Sequence, residues 1–166
     1  ATYTVRTTDT AGATVDQNVV VTITGTNDTP TIDTSTATTA TGAITERTGL
    51  TGSSTTDTAS GSIAFKDTDL TNTHSMSVAS TSFVWSNGTL TSTQQSALTS
   101  AFTLGTKVDS TNSGSGTQAW SFNLADSNFD FLAENETVTA TYKVRTTDNA
   151  GATVDQNVVV TITGTN

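Results

Sequence analysis

Residues 140–166 read ATYKVRTTDNAGATVDQNVVVTITGTN and carry the clearest structural pattern in the chain. Apolar residues alternate with polar ones on both sides of a polar segment that contains Asp, Asn and Gly. They are Val138, Ala140, Tyr142 and Val144 before it, and Val158, Val160 and Ile162 after it. A period of two is the pattern of a strand with one buried face, and the intervening residues favour a turn. This segment therefore predicts a β-hairpin.

The same segment occurs twice. Residues 1–27, ATYTVRTTDTAGATVDQNVVVTITGTN, match it at all but two positions, which implies a tandem array with a period of about 139 residues. Such near-identity indicates recent duplication, a pattern typical of long repetitive surface proteins. We interpret residues 28–166 as one complete repeat and residues 1–27 as the C-terminal hairpin of the preceding repeat. We expect the first hairpin to fill the slot of the second, or to make a strand-swapped contact with a neighbouring chain or repeat.

The remaining apolar residues predict further strands. Alternation is clear in GSIAFKDTD at 61–69, HSMSVAS at 74–80 and QAWSFNLAD at 118–126. Leu90, Leu98, Ala101 and Phe102 are spaced as in a helix, so we predict a short helix at about 92–102, with Ser92 or Thr93 as its N-cap. Together these elements predict an all-β fold, an immunoglobulin-like or cadherin-like β-sandwich with one inserted helix. Trp85 and Trp120 are expected to fill its core.

Composition excludes several classes of function. The chain has 15 acidic and 6 basic residues, a net charge of -9 and no cysteine. Disulfides and cysteine-based metal or redox sites are thereby excluded, and the acidic balance argues against binding of nucleic acid. No apolar run approaches the roughly 20 residues of a membrane-spanning helix, so we expect no membrane insertion, and no signal peptide is apparent in this piece. The 43 threonines fit strands with one wet face.

Acidic and amide side chains fall near the ends of the predicted strands. They are Asn27 and Asp28 in the GTNDTP joint between repeats, Glu46 after an alternating run, the Asp67–Asp69 pair, and Asp148 in the hairpin turn. Oxygen ligands on turns suit Ca²⁺, which takes 6–8 oxygens at roughly 2.3–2.6 Å. The alternative for each aspartate is a turn residue that binds its own backbone.

Three segments resemble the VCBS repeat of large bacterial surface adhesins: GSIAFKDTDLTNTHSMSV, FLAENETVTATYKVRTTDNAGATV and VTITGTNDTP. The order of motifs is also similar to cadherin repeats, which bind Ca²⁺ between successive domains. The resemblance implies that Asp67, Asp69 and Asp148 gather near Asn27 and Asp28. It also implies that Glu46 serves a joint and that Asp9 plays the part of Asp148 in the preceding repeat. The chain lacks an Asp-Arg-Glu motif, and its segment 81–117 is longer than in short VCBS repeats.

The resemblance implies a structural extender of a secreted adhesin at the bacterial cell surface, rigidified by calcium, with neighbouring tandem repeats as its partners. We do not expect an enzyme. His74 is the sole imidazole and is expected to be structural, and Glu134 and Glu136 are expected to be solvated rather than glycosidase acids. The alternative is a module that binds a glycan or protein ligand through Phe83, Trp85 and the inserted helix.

Overall fold

A computed structural model describes residues 1–35 and 38–165. The fold is mostly β-sheet, with 53% of residues in strands, and it contains one short α-helix. No helix among the described residues is long and apolar enough to cross a membrane. The strands are β1 (Thr2–Thr8), β2 (Thr14–Val20), β3 (Thr31–Ile32), β4 (Thr41–Thr45), β5 (Thr56–Lys66), β6 (His74–Trp85), β7 (Phe102–Val108), β8 (Ser115–Ala125), β9 (Thr137–Asp148) and β10 (Thr153–Thr163).

Eight of these strands form two four-stranded sheets. One sheet has the order β4-β10-β9-β6, and the other has the order β3-β5-β8-β7. All pairs are antiparallel except β4 with β10, which run parallel from Val159 opposite Thr41 to Thr163 opposite Thr45. The two sheets enclose a common apolar core, so the prediction of an all-β, sandwich-like fold is confirmed. Trp85, at the end of β6, packs against this core but is only partly buried.

The alternation of apolar and polar residues in the hairpin corresponds to alternating burial, as predicted. In β9 every second residue is buried, and Tyr142 lies fully inside. Its ring stacks on Phe102 at 4.2 Å between centroids. Trp120 enters the core from β8 and donates its indole N–H to the Thr39 carbonyl at 2.7 Å. Gly61 leaves space beside this hydrogen bond. A Cβ at residue 61 would lie only 2.4 Å from the Thr39 carbonyl oxygen.

The inserted helix α1 runs from Ser92 to Ala101, close to the predicted bounds. Its N-cap is Thr91, so the expectation of Ser92 or Thr93 is wrong by one or two positions. Thr91 and Gln94 form a capping box: the Thr91 hydroxyl accepts the Gln94 N–H, and the Gln94 amide oxygen accepts the Thr91 N–H. This reciprocal pair satisfies two N–H groups at the start of the helix.

The first hairpin, β1 with β2, is a separate two-stranded sheet whose residues are all exposed. Tyr3 is 60% exposed and Ile23 is 89% exposed, whereas their counterparts Tyr142 and Ile162 are fully buried. The expectation that residues 1–27 fill the slot within the chain is therefore wrong. The physical reason is that β10 already occupies that slot beside β4 and β9. Packing against a neighbouring chain or repeat stays a prediction.

Candidate metal site at the joint

One end of the sandwich holds a group of acidic and amide side chains, which we call the joint cluster: Asn27, Asp28, Asp67, Asp69, Asn72 and Asp148. Asn27 is central to it. Its side-chain amide N–H donates to Asp148 Oδ2 at 2.9 Å, and its Oδ1 accepts from Asn72 Nδ2 at 2.9 Å. The next residue, Asp28, donates its backbone N–H to Asp69 Oδ2 at 2.6 Å. The joint residues are thus hydrogen-bonded directly to the ends of the sandwich.

The topology explains why these residues meet. Asp67 and Asp69 follow β5, and Asp148 ends β9, which pairs with the start of β6 through His74 opposite Asp148. The chain reaches this end through Pro30, which is buried, and then enters β3 beside the end of β5. The structure therefore brings together five of the seven residues that the sequence nominates: Asn27, Asp28, Asp67, Asp69 and Asp148.

A buried histidine, His74, binds the joint cluster through Asp67. His74 lies between two carboxylates, with Nε2 at 2.8 Å from Asp67 Oδ2 and Nδ1 at 2.7 Å from Asp109 Oδ1. The side chains of His74 and Asp67 are fully buried. An imidazole that faces a carboxylate oxygen from each nitrogen is fixed in orientation, so His74 links Asp67 to Asp109. It holds Asp67 at the base of the cluster.

Two of the aspartates also bind their own turns. Asp148 Oδ1 accepts the backbone N–H groups of Ala150 and Ala152 at 2.9 and 2.8 Å. Asp67 Oδ1 accepts the N–H of Asp69 at 2.8 Å. Asp9 makes the same bonds as Asp148, within its own turn, but it lies in the exposed first hairpin. Asp9, Asp67 and Asp148 therefore each bind backbone N–H groups of their own turns, as the alternative interpretation predicts. At Asp148 this leaves Oδ2 facing the cluster.

Hydrogen bonds at this end of the sandwich favour the ionised forms of Asp148 and Asp109. The hydrogen bond from Asn27, together with the turn N–H groups, holds the pKa of Asp148 below its usual range. Burial opposes ionisation of Asp109, but hydrogen bonds from Lys107, His74 and Ser110 outweigh it and hold the Asp109 pKa well below its usual range. The end of the sandwich therefore concentrates negative charge, and Lys107 is a cation bonded there, through Asp109.

The donor set suits a hard cation. Every side chain in the joint cluster offers oxygen, as Ca²⁺ requires. The structure gives the Asp28 carboxylate and Asp69 Oδ1 no hydrogen-bond partner among the described residues. As they stand, however, no three Asp, Glu or His side chains within residues 1–35 and 38–165 are close enough to enclose one ion. A Ca²⁺ ion would need Asp28 and Asp69 to turn toward Asp148, with Asn27 as an amide ligand.

Glu46 lies away from the joint cluster. It follows β4 at the other end of the sandwich, where its carboxylate accepts the backbone N–H of Thr165 at 2.9 Å. The ends of β10 are about 33 Å apart, from ten steps of roughly 3.3 Å between its 11 residues. Glu46 is thus beside the segment where the chain leaves the repeat, as the resemblance implies for a glutamate that serves the next joint. Asp9 joins neither group.

Several contacts of these sites lie beyond sequence reasoning. Asn72 bridges Asn27 and Asp69, and its place three positions after Asp69 is the available signal. Asp109 begins the loop between β7 and β8, yet its carboxylate binds His74 across 35 residues, which local patterns do not reveal. The expectation that Glu136 is solvated is wrong, because its carboxylate accepts the Trp85 indole N–H at 3.1 Å. Its role in this corner is structural.

The geometry therefore places acidic groups at each end of the sandwich: carboxylates crowd where the chain enters, and Glu46 lies where the chain leaves. Both arrangements involve residues of the GTN segments that precede the joints. The relation to VCBS and cadherin repeats stays a prediction from the motifs. Comparison of the chain with protein-family models and with curated protein sequences found no match.

Proposed function

We propose that residues 28–166 form an immunoglobulin-like, cadherin-like repeat that serves as a calcium-rigidified extender of a secreted bacterial adhesin. Its work is mechanical, since it holds a distal adhesive domain away from the cell surface for attachment. The observation that carries the proposal is the joint cluster, in which Asn27 and Asp28 bond directly to Asp148 and Asp69. A cation bound there would fix the angle between the incoming chain and the sandwich.

The near-identity of residues 1–27 and 140–166 supports an extender over a recognition domain. A spacer gains length from identical copies, whereas recognition usually needs one distinct surface. The charge of the cluster supports a role for calcium. Without a cation, Asp28, Asp69 and Asp148 repel one another and loosen the joint; a bound Ca²⁺ offsets that repulsion. Millimolar extracellular calcium matches the weak affinities of extracellular modules.

The test is thermal unfolding of the full chain in calcium and in excess chelator. Ligand binding to the folded state alone adds about 2.7 kcal/mol when its concentration is 100 times Kd. For a domain of this size that amounts to a rise in Tm of about 8 °C. A two-repeat chain should also become longer and stiffer in small-angle scattering with calcium. Unchanged melting and scattering in chelator would refute calcium rigidification.

The repeat provides a matched control for this experiment. Asp148→Asn removes one charge from the cluster while keeping Oδ1 as acceptor for the turn N–H groups. Asp9→Asn makes the same change outside the cluster, in the corresponding turn, which has Thr10 in place of Asn149. We expect the first variant to weaken the calcium-dependent rise in Tm and the second to leave it intact. Equal effects of both variants would show that calcium acts elsewhere.

A second candidate is the module that binds a glycan or protein ligand. It is favoured by an open groove of about 600 Å³ between β6 and α1, lined by seven side chains with hydroxyl or amide groups and by Phe83. Hydroxyls and one aromatic ring are groups that sugars contact. A glycan array and a cell-binding assay with the full chain separate the two functions. The extender should give a blank array, and a saturable signal lost in Phe83→Ala would favour the module.

A further inference from the structure

Two aspartates meet inside the sandwich at the end opposite the joint cluster. Asp57 lies near the start of β5, and Asp126 begins the short 3₁₀ turn Asp126–Asn128 that follows β8. Asp57 is 8% exposed and Asp126 is 0% exposed. The full length of β5, about 33 Å for 11 residues, separates Asp57 from Asp67 at the joint. We call Asp57 and Asp126 the buried carboxyl pair.

Arg47 binds one oxygen of each carboxyl group. Its side-chain Nε donates to Asp57 Oδ1 at 3.1 Å, and its backbone N–H donates to Asp126 Oδ1 at 2.9 Å. The second oxygens, Asp57 Oδ2 and Asp126 Oδ2, are buried and have no hydrogen-bond partner among the described residues. A buried acceptor without a partner destabilises the fold, and more so when it is charged. Because both carboxyl groups have such an oxygen, we expect one ligand to serve both.

The charge balance indicates which ligand fits. Two ionised carboxylates carry two negative charges, and the Arg47 guanidinium supplies one positive charge. One further positive charge completes the pair. Burial and the neighbouring Asp126 carboxyl raise the pKa of Asp57, and Arg47 acts in the opposite direction. Two buried carboxyl groups that share one cationic partner favour retention of a proton on one of them.

The other charged groups at this end do not supply that charge. Glu46 is engaged with Thr165, and Asp130 accepts the backbone N–H of Gly52 at 2.7 Å. Both are acidic, so neither supplies the missing positive charge. The loop 46–55, which carries Arg47, connects β4 to β5 over this end of the sandwich. The state of the pair thus bears on the loop and, through Glu46, on the segment where the chain leaves.

We propose that Asp57 and Asp126 share one proton and keep it at pH values where the exposed carboxyl groups of the chain are ionised. The shared proton stabilises the contact between β5, the 3₁₀ turn and the loop that carries Glu46. The pair stabilises the folded chain most at low pH, and that contribution is lost as pH rises through the titration of the folded pair. The proposal rests on the fold alone and is independent of calcium at the joint.

The test follows the carboxyl carbons of the full chain by ¹³C NMR across an acid-to-neutral pH range, in chelator. We expect one member of the pair to titrate above the ordinary aspartate value of about 3.9. In Asp126→Asn the Asp57 midpoint should fall, and in Asp155→Asn, which alters an exposed ion pair with Arg145, it should not. The wild-type titration decides the matter even if Asp126→Asn does not fold.

Two results would overturn the proposal. The first is that both carbons of the pair titrate at or below the ordinary aspartate value, since no shared proton would then be retained. The second is that added CaCl₂ shifts both carbons in a saturable manner at neutral pH and replaces their titration, since the pair would then hold a metal ion. A calcium response confined to the joint cluster leaves the shared proton intact and supports it.

Discussion

The two copies of one hairpin allow a single substitution to be compared in two environments. Ile162 is 0% exposed and lies opposite both Val138 and Ile44, whereas its counterpart Ile23 is 89% exposed. Removal of a fully buried isoleucine side chain down to alanine costs about 2–5 kcal/mol, because apolar contacts are lost and a cavity remains. The same change on an open surface stays within about 0.5 kcal/mol.

We therefore expect Ile162→Ala to lower the free energy of unfolding by about 2–5 kcal/mol and Ile23→Ala to leave it nearly unchanged. With an unfolding entropy near 2.1 cal/mol/K per residue, each kcal/mol lowers Tm by about 3 °C in a unit of this size. The buried substitution should thus lower Tm by about 6–15 °C. Urea titration at constant temperature, with an unchanged slope, gives the free energies directly.

The comparison also tests how the first hairpin is packed. An equal loss in both variants would refute the reasoning, because it would mean that Ile23 is covered in solution. If the loss at Ile23 grew with protein concentration, a neighbouring copy would be the cover. Exchange of hairpins between chains does not change the number of exposed hairpins, since each chain has two hairpins and one position in the sandwich for a hairpin. Swapping alone therefore leaves one hairpin per chain exposed.

Three further predictions concern single contacts. Tyr142→Phe removes the hydroxyl that donates to the Leu98 carbonyl at 2.6 Å and should cost about 1–3 kcal/mol, whereas Tyr3→Phe should cost nothing measurable by urea titration. Gly61→Ala sets a methyl group against backbone 2.4 Å away and should cost about 1–3 kcal/mol or prevent folding, as judged by circular dichroism. The lowered pKa of Asp109 means that it stabilises the fold above its unfolded pKa of about 3.9, and that this contribution is lost as pH falls; Asp109→Asn should show a flatter loss of Tm in acid.

The sequence predicts those parts of the fold that depend on local periodicity. Alternation in residues 138–144 and 158–162 suffices for β9 and β10, because each strand has one dry face and one wet face. It cannot reveal the parallel pairing of β10 with β4, since the partners lie at opposite ends of the repeat and nothing local specifies them. The cap at Thr91 escapes prediction because three adjacent hydroxyl residues satisfy the same local rule.

The candidate site, like the fold, is predicted from the sequence only in part. Turn chemistry marks Asp67, Asp69 and Asp148, and repeat spacing marks Asn27 and Asp28 as the joint. The buried carboxyl pair is not among the nominated residues, although its first member lies on the apolar face of β5, where an aspartate is a visible signal. The second member becomes adjacent only when β5 and β8 pair, which is a tertiary event.

The parallel pairing of β4 with β10 has a consequence for tension along the chain. A pull on Thr165 runs along β10, so the bonds to β4 and β9 resist it together in shear. A pull on Asn27 first loads the bonds of the joint cluster and then β3, which is held to β5 by the Thr31 and Ile32 pairs, by the Asp33 N–H bond to the Ala64 carbonyl and by the Asp33–Lys66 ion pair. The entering end should therefore peel before the leaving end slips, and the bonds of the joint cluster are the first to share that force.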